Sequence, residues 1–144
     1  MLAWCAAMGA SALGVLLLDD WETPQKIRTV AALFALGGAV AFPFGLILAR
    51  FLAFRKQREV AFAVGFLSLA LVTACATGGL FALQYREYYA EWHADPFTRI
   101  WFLQFAHTIG GALYQFAVLG LRLFFPIGFA ALLLASFWFA RRAR

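Results

Sequence analysis

The chain has 144 residues, 65% of them hydrophobic and only 13% charged, with a formal net charge of +5. An average soluble domain is roughly 45–50% apolar and about 25% charged, and a small soluble chain leaves too much surface exposed to hide this much apolar material. With a mean hydropathy of +0.82, the composition excludes a soluble globular domain and points to an integral membrane protein whose first partner is the lipid bilayer.

The basic residues stand at the ends of apolar runs, not in a long basic segment interleaved with aromatics. That placement fits anionic headgroups and the positive-inside effect, and no nucleic-acid partner is expected. Cys5 and Cys75 are the only cysteines, both inside apolar runs and with no Cys-x-x-Cys between them, so they read as packing residues and not as a redox pair. The chain contains no asparagine, few lysines and many alanines and arginines, a bias typical of a GC-rich bacterial genome.

In chain order, the first apolar run covers residues 2–18. It lacks a positively charged leader and a clear small-residue cleavage site before Asp19, so an uncleaved first span is expected. Ala6, Ala10 and Gly14 recur every four residues, a small face suited to close helix packing. The polar loop from Asp19 to Arg28 follows, with Trp21 placed for a membrane interface and Pro24 for a helix start. The second span, residues 30–49, carries Gly37, Ala41, Gly45 and Ala49 on one face, and Pro43 is expected to bend it. Arg50, Arg55, Lys56 and Arg58 then form the densest positive cluster between two spans, which assigns that connection to the cytoplasm. The third span, residues 60–83, has Ala70, Ala74, Gly78 and Ala82 as its small face. Spans two and three therefore read as a tight helical hairpin.

The loop from Gln84 to Thr98 is rich in aromatics, and Tyr85, Tyr88, Tyr89 and Trp92 suit an interfacial belt. Glu87, Glu91, His93 and Asp95 are chemically competent metal ligands, but one histidine among carboxylates in an exposed loop is ordinarily solvated, and no metal is expected. The stretch from Arg99 to Arg122 is apolar yet carries Gln104, His107, Thr108, Gly111, Gln115 and Arg122 at helical steps of three and four. Such a helix lies in the interface or turns its polar side toward protein or a ligand. The last apolar run, residues 119–140, has Pro126 near its start and Arg141, Arg142 and Arg144 after it.

The expected fold is an all-α membrane protein, one domain over residues 1–144. It has four transmembrane helices, with an amphipathic or re-entrant helix at residues 97–118 before the last span; five transmembrane helices are the alternative. Both arrangements leave seven basic residues inside and five outside, but five spans would export the cluster from Arg50 to Arg58. Four spans place both termini in the cytoplasm of a bacterial inner membrane.

The confident spans hold no Asp or Glu and no pair of histidines, and no nucleophile triad or phosphate loop occurs. The expectation is therefore a non-catalytic accessory or scaffold subunit of a larger transport or electron-transfer complex, without a cofactor of its own. Its partners are other membrane subunits or further copies of itself. Gln104, His107, Thr108, Gln115 and Arg122 are the candidate ligand- or partner-facing residues. Two alternatives stand beside it: a small homo-oligomeric transporter or channel lined by the Gln104–Gln115 face, and a lipid- or quinone-active enzyme with His107 as its acid–base group.

Overall fold

The computed structural model describes residues 1–20, 23–54 and 57–142; Trp21, Arg55, Lys56 and Arg144 lie outside the described residues. All regular structure among those residues is helical. The helices are α1 (Leu2–Asp19), α2 (Pro24–Leu52), α3 (Arg58–Tyr89), α4 (Arg99–Gln115) and α5 (Ile127–Arg142). By length and composition, α1, α2 and the segment Arg58–Trp92 are each sufficient to cross a membrane. Arg99–Phe124 and Ile127–Arg142 meet that test only as a pair, bent by 74°. Among the described residues there are thus three helices long and apolar enough to cross, or four if the bent pair is one crossing.

The seam between α2 and α3 is the tightest. A Cβ at Gly37 would come within 2.9 Å of Thr77 Cα, and one at Gly45 within 2.9 Å of Leu69 Cδ2. These two pairs lie eight residues apart on each helix in opposite directions, so α2 and α3 run antiparallel with their backbones close. Ala41 and Ala49 are buried on the same stripe of α2. In lipid there is no hydrophobic gain in bringing helices together, and small residues that permit close contact supply the packing energy instead. The helix continues through Pro43 from Pro24 to Leu52.

Helix α1 packs on the other side of α2, but not through the face that its four-residue spacing suggests. Ala6 and Ala10 are exposed, and no atom lies within 4 Å of where a Cβ at Gly14 would be. The face in use carries Trp4, Met8, Gly9, Ala12 and Leu16. A Cβ at Gly9 would meet Ala35 Cβ at 2.9 Å, and one at Gly38 would meet Met8 Cγ at 2.9 Å. The reason is size matching: Trp4 packs against Phe42, ring centroids 5.7 Å apart, and Met8 fills the notch at Gly38. On α3, Ala70 and Ala74 are half-buried beside a cavity, and the α2 seam uses Leu69 and Thr77 instead. Gly78 does pack: a Cβ there would lie 2.8 Å from Phe116 Cδ1. Cys5 is half-buried and Cys75 lies on the outer surface of α3, which corrects the reading of Cys75 as a packing residue.

Helix α5 closes the bundle. Its far end meets the start of α3, where a Cβ at Gly65 would lie 2.9 Å from Phe139 Cδ1, and its near end meets α1, where a Cβ at Gly128 would lie 3.4 Å from Met8 Sδ. Buried hydroxyls from three helices, Ser11, Ser68, Thr73, Thr77 and Ser136, lie in the interior.

Between α4 and α5 the helix loosens into a π turn at Phe116–Gly120, tightens into a 3-10 turn at Leu121–Phe124, and stops. Phe125 is extended, the conformation a following proline imposes, and Pro126 has no N–H to continue the ladder. The boundary between the polar helix and the last apolar helix therefore falls at Phe125–Pro126 and not at residue 118. At 1.5 Å per residue, the 16 residues of α5 span about 24 Å, short of a ~30 Å hydrocarbon core.

Gly37→Ala is expected to destabilise the chain by about 1–3 kcal/mol through overpacking against Thr77. Gly14→Ala, with open space at its Cβ, gains helix propensity at no steric cost. Unfolding midpoints in an SDS titration from mild detergent separate the two; equal shifts would remove the α2–α3 seam from its central place.

Candidate functional site

The polar stripe of α4 is divided by the structure into an inner and an outer part. Helix α4 runs back along the last turns of α3 and buries only Ala112. Trp101, Gln104, Phe105, Thr108 and Ile109 are half-buried on the side facing the bundle. Gln104 and Thr108 belong to this inner edge. The backbone N–H of Ala94 donates to Gln104 Oε1 at 2.8 Å, and Thr108 Oγ1 donates to Gln104 O at 2.7 Å. A hydroxyl has one proton, so the 3.1 Å contact between His93 Nε2 and Thr108 Oγ1 has the imidazole donating. His93 is thereby held on α4, and no group of three His, Cys, Asp or Glu side chains comes together among the described residues.

The start of α4 is fixed by the same loop. Thr98 caps the helix: its Oγ1 accepts from Trp101 N–H at 3.1 Å and donates to Asp95 O at 2.9 Å. The Arg86 guanidinium of α3 stacks on the Phe105 ring at 5.3 Å. Two hydrogen bonds from the preceding loop and the Arg86–Phe105 contact therefore tie α4 to the end of α3.

His107 and Gly111 stand on the outer part of the stripe. Both are exposed and line a shallow depression of about 290 Å³ together with Thr108 and, from α3, Tyr85 and Tyr89. A carbonyl only accepts, so the 2.9 Å contact between His107 Nδ1 and Leu103 O puts the ring proton on Nδ1. The outward Nε2 of the neutral ring then carries a lone pair. No atom lies within 4 Å of a Cβ at Gly110 or Gly111.

Gln115 faces a different space, a cavity of about 630 Å³ between the start of α2, the end of α3 and the end of α4. Gln25, Thr29, Gln84 and Tyr88 also line it. Their convergence from three elements leaves no local sequence signal. Arg122, on the 3-10 turn, is separate from all of these: its Nη2 donates to Asp19 Oδ2 of α1 at 3.1 Å. With 47% and 38% of the two side chains exposed, this pair contributes on the order of 1 kcal/mol or less. A second cavity, about 310 Å³ and apolar, lies at the α4–α5 break among Ala70, Ala74, Phe124, Phe125 and Phe129, with the buried Thr73 in its wall.

The arrangement offers hydrogen-bonding and packing surfaces at both outer sites. Comparison of the chain with protein-family models, with curated proteins and with solved structures returns no match.

If Gln104 and Thr108 hold the loop, Gln104→Leu with Thr108→Val should raise amide exchange at Ala94 by about three- to tenfold, the worth of a typical net hydrogen bond of about 0.5–1.5 kcal/mol. His107→Ala should leave that exchange unchanged. Hydrogen exchange read by mass spectrometry over residues 90–98 checks both.

Proposed function

We propose that this chain is a non-catalytic, multi-pass subunit of a larger assembly in a bacterial inner membrane, serving transport or electron transfer, and that its partner is a membrane helix seated on the α3–α4 surface. The observation that carries this reading is the depression formed by His107, Thr108, Gly111, Tyr85 and Tyr89. Glycine in a helix costs about 1 kcal/mol relative to alanine, and among the described residues no neighbour requires Gly111 to be small. A partner helix that approaches closely does require it. The exposed imidazole of His107 at the edge of lipid is stabilised by a protein group that hydrogen-bonds it. Three contacts hold α4 on the end of α3, which favours a surface formed before a partner arrives.

The orientation follows from charge. Arg50 ends α2, Arg58 begins α3, and Arg141 and Arg142 end α5, all at one end of the bundle. Arg58 and Arg141 border a common recess there. By the positive-inside effect this end is cytoplasmic, together with both ends of the chain.

The test is purification of the full chain from its native membrane in mild detergent, with and without Gly111→Leu. The account expects a stoichiometric protein partner on the unaltered chain. In the variant, partner recovery should drop by about tenfold, equivalent to about 1.4 kcal/mol, with helical content unchanged. A monodisperse monomer, or a partner retained equally by Gly111→Leu, would overturn it.

A further inference from the structure

The small residues Ala70 and Ala74 leave the α2 seam to Leu69 and Thr77, and line instead the apolar cavity beneath the α4–α5 bend. Its volume of about 310 Å³ lies at the lower end of the roughly 300–1,000 Å³ of small-molecule sites, room for a single substituted ring. Thr73, between the two alanines, stands at the midpoint of α3 (Arg58–Tyr89). The cavity therefore opens at the depth of the hydrocarbon and not among headgroups. Its mouth is lateral: Leu121, Phe125 and Phe129 are exposed, while Met8 and Leu132 behind them are buried. A ligand enters from the lipid.

Among the described residues that line this cavity, Thr73 alone has a hydroxyl, and none is charged. Thr73 is 4% exposed, and its Oγ1 has no hydrogen-bond partner among the described residues. Ser136 and Thr108, also within helices, each donate to the carbonyl four residues back at 2.7 Å. Thr73 forgoes that bond, and a buried hydroxyl left unpaired is costly. Thr77 is unpaired too, but it is closed in against Gly37, whereas Thr73 stands in a cavity wall. Water does not fill the need, because a buried water takes roughly two to four polar partners and an apolar cavity stays dry. Threonine in a helix adopts two χ1 rotamers, and a turn about χ1 exchanges Oγ1 with Cγ2, which brings the hydroxyl to the ligand.

The occupant is therefore neutral, lipid-soluble and apolar over most of its surface, with an oxygen to accept one proton. The wall adds a preference for a flat ring. Phe124, Phe125 and Phe129 line one side, with the last two ring centroids 5.9 Å apart, and aromatic rings attract beyond the area they bury. We propose that this cavity binds the ring of a lipid-soluble quinone, one quinone oxygen accepting a hydrogen bond from Thr73 Oγ1 while the isoprenoid tail leaves through the lateral mouth. In hydrocarbon a free quinone has no donor for that oxygen, so the bond to Thr73 replaces none to water. A saturated acyl chain would leave Thr73 unpaired and gain nothing from the rings. This site is separate from the depression at Gly111 and does not depend on a protein partner there.

The experiment is native mass spectrometry of the full chain in mild detergent, titrated with decylubiquinone and, as a tail-and-ring control without oxygens, decylbenzene. One decylubiquinone per chain is expected, bound about two- to tenfold more tightly than decylbenzene, the worth of a typical net hydrogen bond. Thr73→Val, which keeps the shape and removes the hydroxyl, should bring the quinone to the level of decylbenzene without weakening decylbenzene. Thr73→Ser should retain the preference, and Gly111→Leu should leave both affinities unchanged. Equal affinity of the unaltered chain for the two probes would assign the cavity to any hydrocarbon tail and overturn the quinone. A preference that survives Thr73→Val, or no binding of decylubiquinone at all, overturns it as well.

Discussion

The close approach of Gly37 to Thr77 and of Gly45 to Leu69 sets the geometry of the whole chain. It brings the α2 and α3 backbones together and leaves each helix one further side on which to pack. Helix α1 takes that side of α2 through Gly9 and Gly38; α5 takes that side of α3 through Gly65. Because Met8 of α1 also touches Gly128 of α5, the ring of four is closed. Helix α4 lies against the end of α3, and its polar groups either fasten it to the preceding loop or face outward.

The break before α5 follows from the same constraint. A straight continuation of α4 would carry the chain away from the gap between α1 and α3. The π turn at Phe116–Gly120, the 3-10 turn at Leu121–Phe124 and Pro126 redirect it by 74° into that gap. Phe116 and Phe124 anchor the bend on Phe34 of α2, with ring centroids 6.1 and 4.7 Å from it. The two outer sites lie on the α4 side of this bend, while the apolar cavity lies beneath it. The placement of both outer sites thus follows from where α4 ends and the chain turns into α5.

How much of this is legible in the sequence depends on how local the signal is. The stripe Gly37, Ala41, Gly45 is readable because small residues at four-residue spacing with a matching neighbour leave one good packing solution. The stripe Ala6, Ala10, Gly14 has the same spacing but is not the face that meets α2, because that face is chosen by bulky partners, Trp4 with Phe42 and Met8 with Gly38, that spacing does not encode. On α4 the polar line is visible, but neighbouring residues on a helix point about 100° apart, so Thr108 turns in while His107 turns out. The Asp19–Arg122 pair spans 103 positions, and the large cavity draws its rim from three elements. Neither leaves a local trace. The all-helical, apolar character of the chain is the part that composition alone makes plain.

The account stands most directly on the closed ring of four antiparallel elements, which puts residue 2 and residue 142 at the same end. Single cysteines at Leu2, Phe97 and Arg142, in a background with Cys5 and Cys75 changed to serine, can be labelled with a membrane-impermeant thiol reagent in intact cells and in inverted vesicles. The account predicts that Leu2→Cys and Arg142→Cys label only in inverted vesicles and Phe97→Cys only in intact cells. Labelling of Leu2→Cys and Arg142→Cys from opposite sides would mean that α4 makes its own crossing, and the ring of four would not describe this protein.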